Sequence, residues 1–137
     1  MDSHRYLLDT NIISNLIRFP NGLVFSHLES ILPDTACTSI VVSAEIHFGL
    51  IKKGSKKLNI QAKQILSVLD ILPLEAPVDE HYGKIRAHLN NIGQPIGSND
   101  LLIAAHSRAL NLILVTDNMR EFSRVPDLMV ENWLAVE

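Results

Sequence analysis

The chain has 137 residues, 47% hydrophobic and 20% charged, with a formal net charge of −3. That apolar content supports one real core and excludes a disordered chain, while the single cysteine, Cys37, excludes a disulfide framework. The acidic balance also excludes a uniformly basic surface for nucleic acid, so any such role falls to a local patch.

Residues 1–6 are polar and the apolar run behind them is short, so no signal peptide is expected. No run reaches the ~18 apolar residues of a membrane span. Cys37 lies in an apolar stretch and is expected as a small core residue, with a reducing cytosol as the compartment. Tyr6-Leu7-Leu8 reads as a buried strand. Asp9, Thr10 and Asn11 all serve as N-caps, here for a helix over 12–18 that ends before Phe19-Pro20. Apolar spacing predicts a helix over 23–32, stopped by Pro33. Residues 36–40 are small and β-branched and predict a second buried strand. Ser43 is the expected N-cap of a helix over 44–53 that Gly54 terminates. Residues 57–72 have helical spacing at Leu58, Ala62, Ile65, Leu66 and Leu69, and Leu72-Pro73-Leu74 is a short edge-like segment. A helix over 78–91 and a turn-rich loop over 93–97 follow. Ser98 or Asn99 then caps a helix over 100–110, whose residues 101–105 are apolar on nearly every face and predict a buried position. Residues 113–116 form a third clear strand, and Met129-Val130 with Trp133 a final edge strand. With no repeat, low-complexity tract or linker, one domain is expected over 1–137. Short apolar strands separated by helices indicate an α/β fold with a mainly parallel central sheet flanked by helices.

Four acids stand out by position: Asp9 and Asp117 just after strands, Glu45 at the start of a helix, and Asp100 at the start of the buried one. Singly, each has a plain explanation as a cap, a first-turn acid or a turn former. Together they sit where sites form in parallel sheets, outside the carboxyl ends of the strands. Carboxylates beside buried segments need a partner, and no Arg or Lys adjoins them in sequence. A hard divalent ion such as Mg²⁺ suits them, since it takes one or two protein carboxylates, several waters and a substrate phosphate. Ser39 and Ser43 have no triad-like companions. The six histidines lack zinc-like spacing, and His106 on the buried helix reads as a core residue. Lys52, Lys53, Lys56 and Lys57 in KKGSKK could bind a phosphate backbone or form a solvated loop between two helices. Arg86, Arg108, Arg120 and Arg124 are further phosphate-contact candidates.

Leu8-Asp9-Thr10-Asn11-Ile12 resembles the opening motif of PIN-domain nucleases. Ser43-Ala44-Glu45 is similar to their second motif, the stretch from Asn99-Asp100 to Ala105 to their third, and Val115-Thr116-Asp117-Asn118 through Glu121-Phe122 to their fourth. Glu131-Asn132-Trp133 resembles the close of VapC toxins. Four motifs in order span essentially the whole chain. One departure is that many PIN domains carry the fourth acid two residues after the motif threonine, which here is Asn118, with Asp117 one residue earlier.

The resemblance implies a PIN-like three-layer fold and a Mg²⁺-dependent endoribonuclease toxin, with Mn²⁺ as a possible substitute. Asp9 and Asp100 would ligate the metal, with Glu45 and Asp117 completing the catalytic set. Thr10, Asn11, Thr116 and Asn118 would hold these groups in place. The partners implied are structured RNA (tRNA as the substrate class), a VapB-like antitoxin, a second copy in a homodimer, and operator DNA only through the antitoxin. Rival readings are a PIN nuclease of RNA processing or DNA metabolism and a catalytically silent interaction module. A haloacid-dehalogenase-like phosphotransfer on Asp9 would need a second Asp where Asn11 stands.

Overall fold

The computed structural model describes residues 3–135. Its centre is a five-stranded sheet in the order β3-β2-β1-β4-β5, every pair parallel. Strand β1 (Tyr6–Leu8) is central, flanked by β2 (Ala36–Ser39) and β4 (Ile113–Val115), with β3 (Asp70–Leu72) and β5 (Val130–Glu131) at the edges. Leu7 and Leu8 are adjacent, so their side chains point to opposite faces, and both are fully buried. The sheet is therefore covered on both sides, as parallel crossovers require.

Helices α1 (Thr10–Arg18) and α2 (Leu23–Ser30) connect β1 to β2, and α3 (Ile40–Lys53) and α4 (Lys56–Val68) connect β2 to β3. Helices α5 (Val78–Asn91) and α6 (Ser98–Ala109), packed on each other, carry the chain to β4, and the short α7 (Met119–Phe122) leads to β5. The core is mostly aliphatic, with Phe122 and Trp133 as its large aromatic members. Cys37 is fully buried within it, as is His106, which bonds Ser39 Oγ through Nδ1 at 2.8 Å. Among the described residues no helix is long and apolar enough to cross a membrane.

The mainly parallel α/β expectation holds, while several local boundaries differ. Ser43 is not the cap of α3. The helix begins four residues earlier, and Ser39, extended at φ −91° and ψ 149°, accepts a hydrogen bond from Val41 N at 3.1 Å. The β-branched Ile40-Val41-Val42 has the local preference of a strand, and tertiary packing overrides it. Glu45 therefore sits in the second turn of α3 rather than at its start. Neither Ser98 nor Asn99 caps α6, whose N-cap is Gly97 with no side-chain bond. The run predicted as one helix over 57–72 divides, and its last three residues form β3, where exposed Asp70 bonds His4 at 2.7 Å. Gly54 ends α3 with φ +66°, the left-handed turn that favours glycine.

Candidate active site

The sheet order reverses at β1: β2 and β3 extend to one side, β4 and β5 to the other. Such a switch point opens a crevice at the carboxyl ends of its two strands. Register brings Leu8 opposite Val115, so the next residues, Asp9 and Thr116, emerge side by side. Thr116 Oγ1 donates to Asp9 Oδ2 at 2.7 Å, and Thr10 N donates to Oδ1 at 2.7 Å as α1 begins. Asp9 is the N-cap of α1 and only 6% exposed. Burial pushes its carboxyl above the ordinary range. The two hydrogen bonds oppose that shift, and the charges of Glu45 and Asp117 add to it.

The other acids arrive from three helices and a turn. Glu45 on α3 accepts from Thr10 Oγ1 at 2.6 Å and loosely from Asn99 Nδ2 at 3.5 Å. Asp100 lies half-buried in the first turn of α6. Its carboxyl is pushed up to about 7, first by burial, then by the charge of Asp9, by a hydrogen bond with Glu121, and by the charges of Glu121 and Glu45. Asp117 is exposed at the rim and accepts from Asn11 Nδ2 at 3.1 Å. Asn118 donates its backbone N–H to Thr116 Oγ1 at 3.0 Å and its side-chain amide to Glu121 Oε2, also at 3.0 Å.

Glu121 is the acid that reading by sequence position left out of the site. It lies in the segment resembling the fourth motif, but it reaches the crevice only because the one-turn helix α7 places it four residues beyond Asp117. Its neighbours, Asn118 and Asp100, identify it. The combination of Asp117 and Asn118 thus divides its work: Asp117 stands at the rim with Asn11, while Asn118 orients a deeper carboxylate.

Among the described residues no lysine or arginine pairs with any of these five carboxylates, and every charge that shifts Asp9 or Asp100 is acidic. Nor do three such side chains already converge as a ligand set, again among the described residues. The acids are spread over Thr, Asn and backbone donors. Mg²⁺ needs only one or two protein carboxylates and fills the rest of its octahedron with water, so this all-oxygen, cation-free crevice fits such an ion.

The basic run is split by the fold. Lys53 borders a cavity that reaches Thr10 and Glu45, whereas Lys52, Lys56 and Lys57 are exposed around the α3–α4 turn. Arg108 is internally engaged, donating to His81 Nδ1 at 2.9 Å and to the Pro126 carbonyl at 3.0 Å. Arg86 lies against Tyr82, and Arg120 is exposed. Trp133 of the closing segment is buried, stacks on His27 at 5.2 Å and donates to Glu131 at 3.1 Å. That segment therefore closes the fold.

The PIN-domain family profile matches residues 6–128. A protein named ribonuclease VapC2 from Rickettsia felis is 40% identical over 93% of this chain and 97% of its own. A protein named tRNA(fMet)-specific endonuclease VapC from Shigella flexneri is 35% identical over 94% of this chain and 98% of its own. The crystal structure of VapBC2 from Rickettsia felis bound to a DNA fragment from their promoter includes a chain of the same fold. Its TM-score is 0.86 at 37% identity, covering 93% of this chain and 98% of that one. The chain belongs to the PIN-domain family, among its VapC ribonucleases.

Proposed function

We propose that this protein is a Mg²⁺-dependent endoribonuclease, the toxin of a type II toxin–antitoxin pair, hydrolysing phosphodiester bonds in structured RNA with tRNA as the favoured class. The observation that carries this reading is the crevice itself, where the buried Asp9 just after β1 and half-buried carboxyls from α3, α6 and α7 come together with, among the described residues, no basic side chain paired to them. The names of the VapC relatives support it.

In this reading Asp9 and Asp100 hold the ion, with Mn²⁺ as a substitute, and Glu121 and Asp117 stand behind them. Mg²⁺, when bound, would neutralise the charge building on the phosphoryl oxygens and make water available as a nucleophile near neutral pH. The protein's share is orientation and proton handling. Thr116 and Thr10 N occupy one lone pair on each Asp9 oxygen, which leaves others directed to the crevice. Thr10 locks Oε1 of Glu45, while the long contact from Asn99 leaves Oε2 free to take a proton from the attacking water. Asn118 donates to Oε2 of Glu121 and so holds that side chain in place beside Asp100.

The same reading includes a VapB-like antitoxin as inhibitor, a homodimer, operator DNA reached only through the antitoxin, and a cytoplasmic site of action. The test is incubation of the purified protein with total RNA, with and without Mg²⁺, beside an Asp9→Asn control. Cleavage that needs the metal and is lost in the control is expected. Cleavage in EDTA, or full activity in the variant, overturns the assignment.

A further inference from the structure

Gly49 lies in the third turn of α3, where a glycine weakens a helix by roughly 0.5–1 kcal/mol relative to alanine. Nothing in the fold asks for it. Its φ is not left-handed, and a Cβ built on it would meet no atom within 4 Å. The space it leaves open belongs to a cavity of about 220 Å³ between α1, α3 and α4. This is smaller than the ~300–1,000 Å³ of pockets for drug-sized ligands, and suits one flat group rather than a larger molecule.

The cavity begins at the site, where Thr10 and Glu45 line it together. Eight residues further along each helix it is lined by Arg18 and Lys53, a rise on the order of 12 Å from the carboxylates. Both cations are exposed, and among the described residues neither has a hydrogen bond or ion pair. Between the two ends the wall is aliphatic, Ile46 and Leu58 included, and Ser14 adds a hydroxyl. An acidic end, an apolar middle and a cationic far end match a strand whose scissile phosphate sits at the carboxylates. The next phosphate along, beyond one base, lies nearer than that full rise, and the long, exposed Arg18 and Lys53 side chains can reach back to it.

We propose that this groove is the subsite for the nucleotide flanking the scissile bond. Its base lies against the aliphatic wall over Gly49, and its outer phosphate meets Arg18 and Lys53. The inference rests on the ribonuclease reading above, which puts the scissile phosphate at the carboxylates through its ion, and the two cations at the far end then commit the groove to an RNA strand as occupant.

The test uses the full chain with total tRNA and Mg²⁺, and variants Gly49→Leu, Arg18→Gln and Lys53→Gln. Gly49→Leu is expected to lower kcat/KM at least tenfold, chiefly through KM, and to alter the base found beside the cut when ends are mapped by sequencing. Arg18→Gln and Lys53→Gln should each reduce the slope of log KM against log salt by about 0.7, the signature of one lost phosphate contact on a single strand. Those two surface changes keep the test decisive if Gly49→Leu folds poorly. Melting with and without Mg²⁺ reports the fold and the metal site separately. Unchanged KM, cut pattern and salt slopes in active variants overturn the subsite and leave the ribonuclease reading standing. Variants that cleave normally but escape inhibition by the antitoxin assign the groove to a protein partner and also overturn it. A wild-type protein that cuts no RNA removes both.

Discussion

Asp100 is half-buried, faces three other acids, and carries a carboxyl raised to about 7 from the ordinary 3.8. The folded state therefore holds a proton there that the unfolded chain gives up near pH 4. Between about pH 4 and 7 the unfolded state binds fewer protons, so stability contributed by this group falls as pH rises and is fully lost above the folded value. Asp9, also raised, acts in the same direction. In EDTA, Asp100→Asn should melt higher than wild type at pH 8 and lose that advantage by pH 4, as followed by circular dichroism. Equal melting curves at pH 8 would mean that neither burial nor the neighbouring carboxylates disfavour the charged form of Asp100. The amide keeps the shape and removes the charge, so the same variant that gains stability should lose metal-dependent cleavage.

Helix α3 ties the site to the sheet through its N-cap, not through its fourth residue. Ser39 ends β2, caps α3, and bonds the buried His106 of α6, so one hydroxyl joins the helix of Glu45 to the helix of Asp100. Ser39→Ala should destabilise by about 1 kcal/mol for the cap, with roughly 1–3 more for the buried His106 Nδ1 left without its partner. Ser43→Ala, inside the helix, should change stability by less than ~0.5 kcal/mol. Urea unfolding separates the two, and the reverse order would restore Ser43 as the cap. The alternation of strands and helices was legible because hydrophobic period and turn residues are local signals. The start of α3 was not, because three β-branched residues look like strand until packing decides. Asp9 and Asp100 could be singled out because each adjoins a buried segment, and Glu45 because it stands near a helix start in a family-like Ser43-Ala44-Glu45 motif. Glu121 could not, since its place depends on a helix of four residues and on partners at Asn118 and Asp100 that only folding brings near.

Taken whole, the molecule stores electrostatic tension at one edge of an otherwise apolar sheet. Acids from both halves of the chain, Asp9 and Glu45 before β3, Asp100 and Glu121 after it, meet at the switch between β1 and β4. A cation held there by Asp9 and Asp100, as proposed, would bridge the halves and would bind only the folded form. Stabilisation should follow RT ln(1 + [L]/Kd), about 2.7 kcal/mol when Mg²⁺ exceeds its Kd a hundredfold. We propose that residues 1–137 act as one domain, in which case calorimetry at rising Mg²⁺ should show one transition moving upward by several degrees. Because an ion so held would span both halves, its effect should reach the whole transition and not a part of it. Asp9→Asn and Asp100→Asn should each flatten this dependence, although the second raises the metal-free midpoint at pH 8. Stability and metal response then move in opposite directions in a single variant, which a general loss of structure cannot produce. A midpoint indifferent to millimolar Mg²⁺ and Mn²⁺ would leave the clustered carboxylates without their counter-ion.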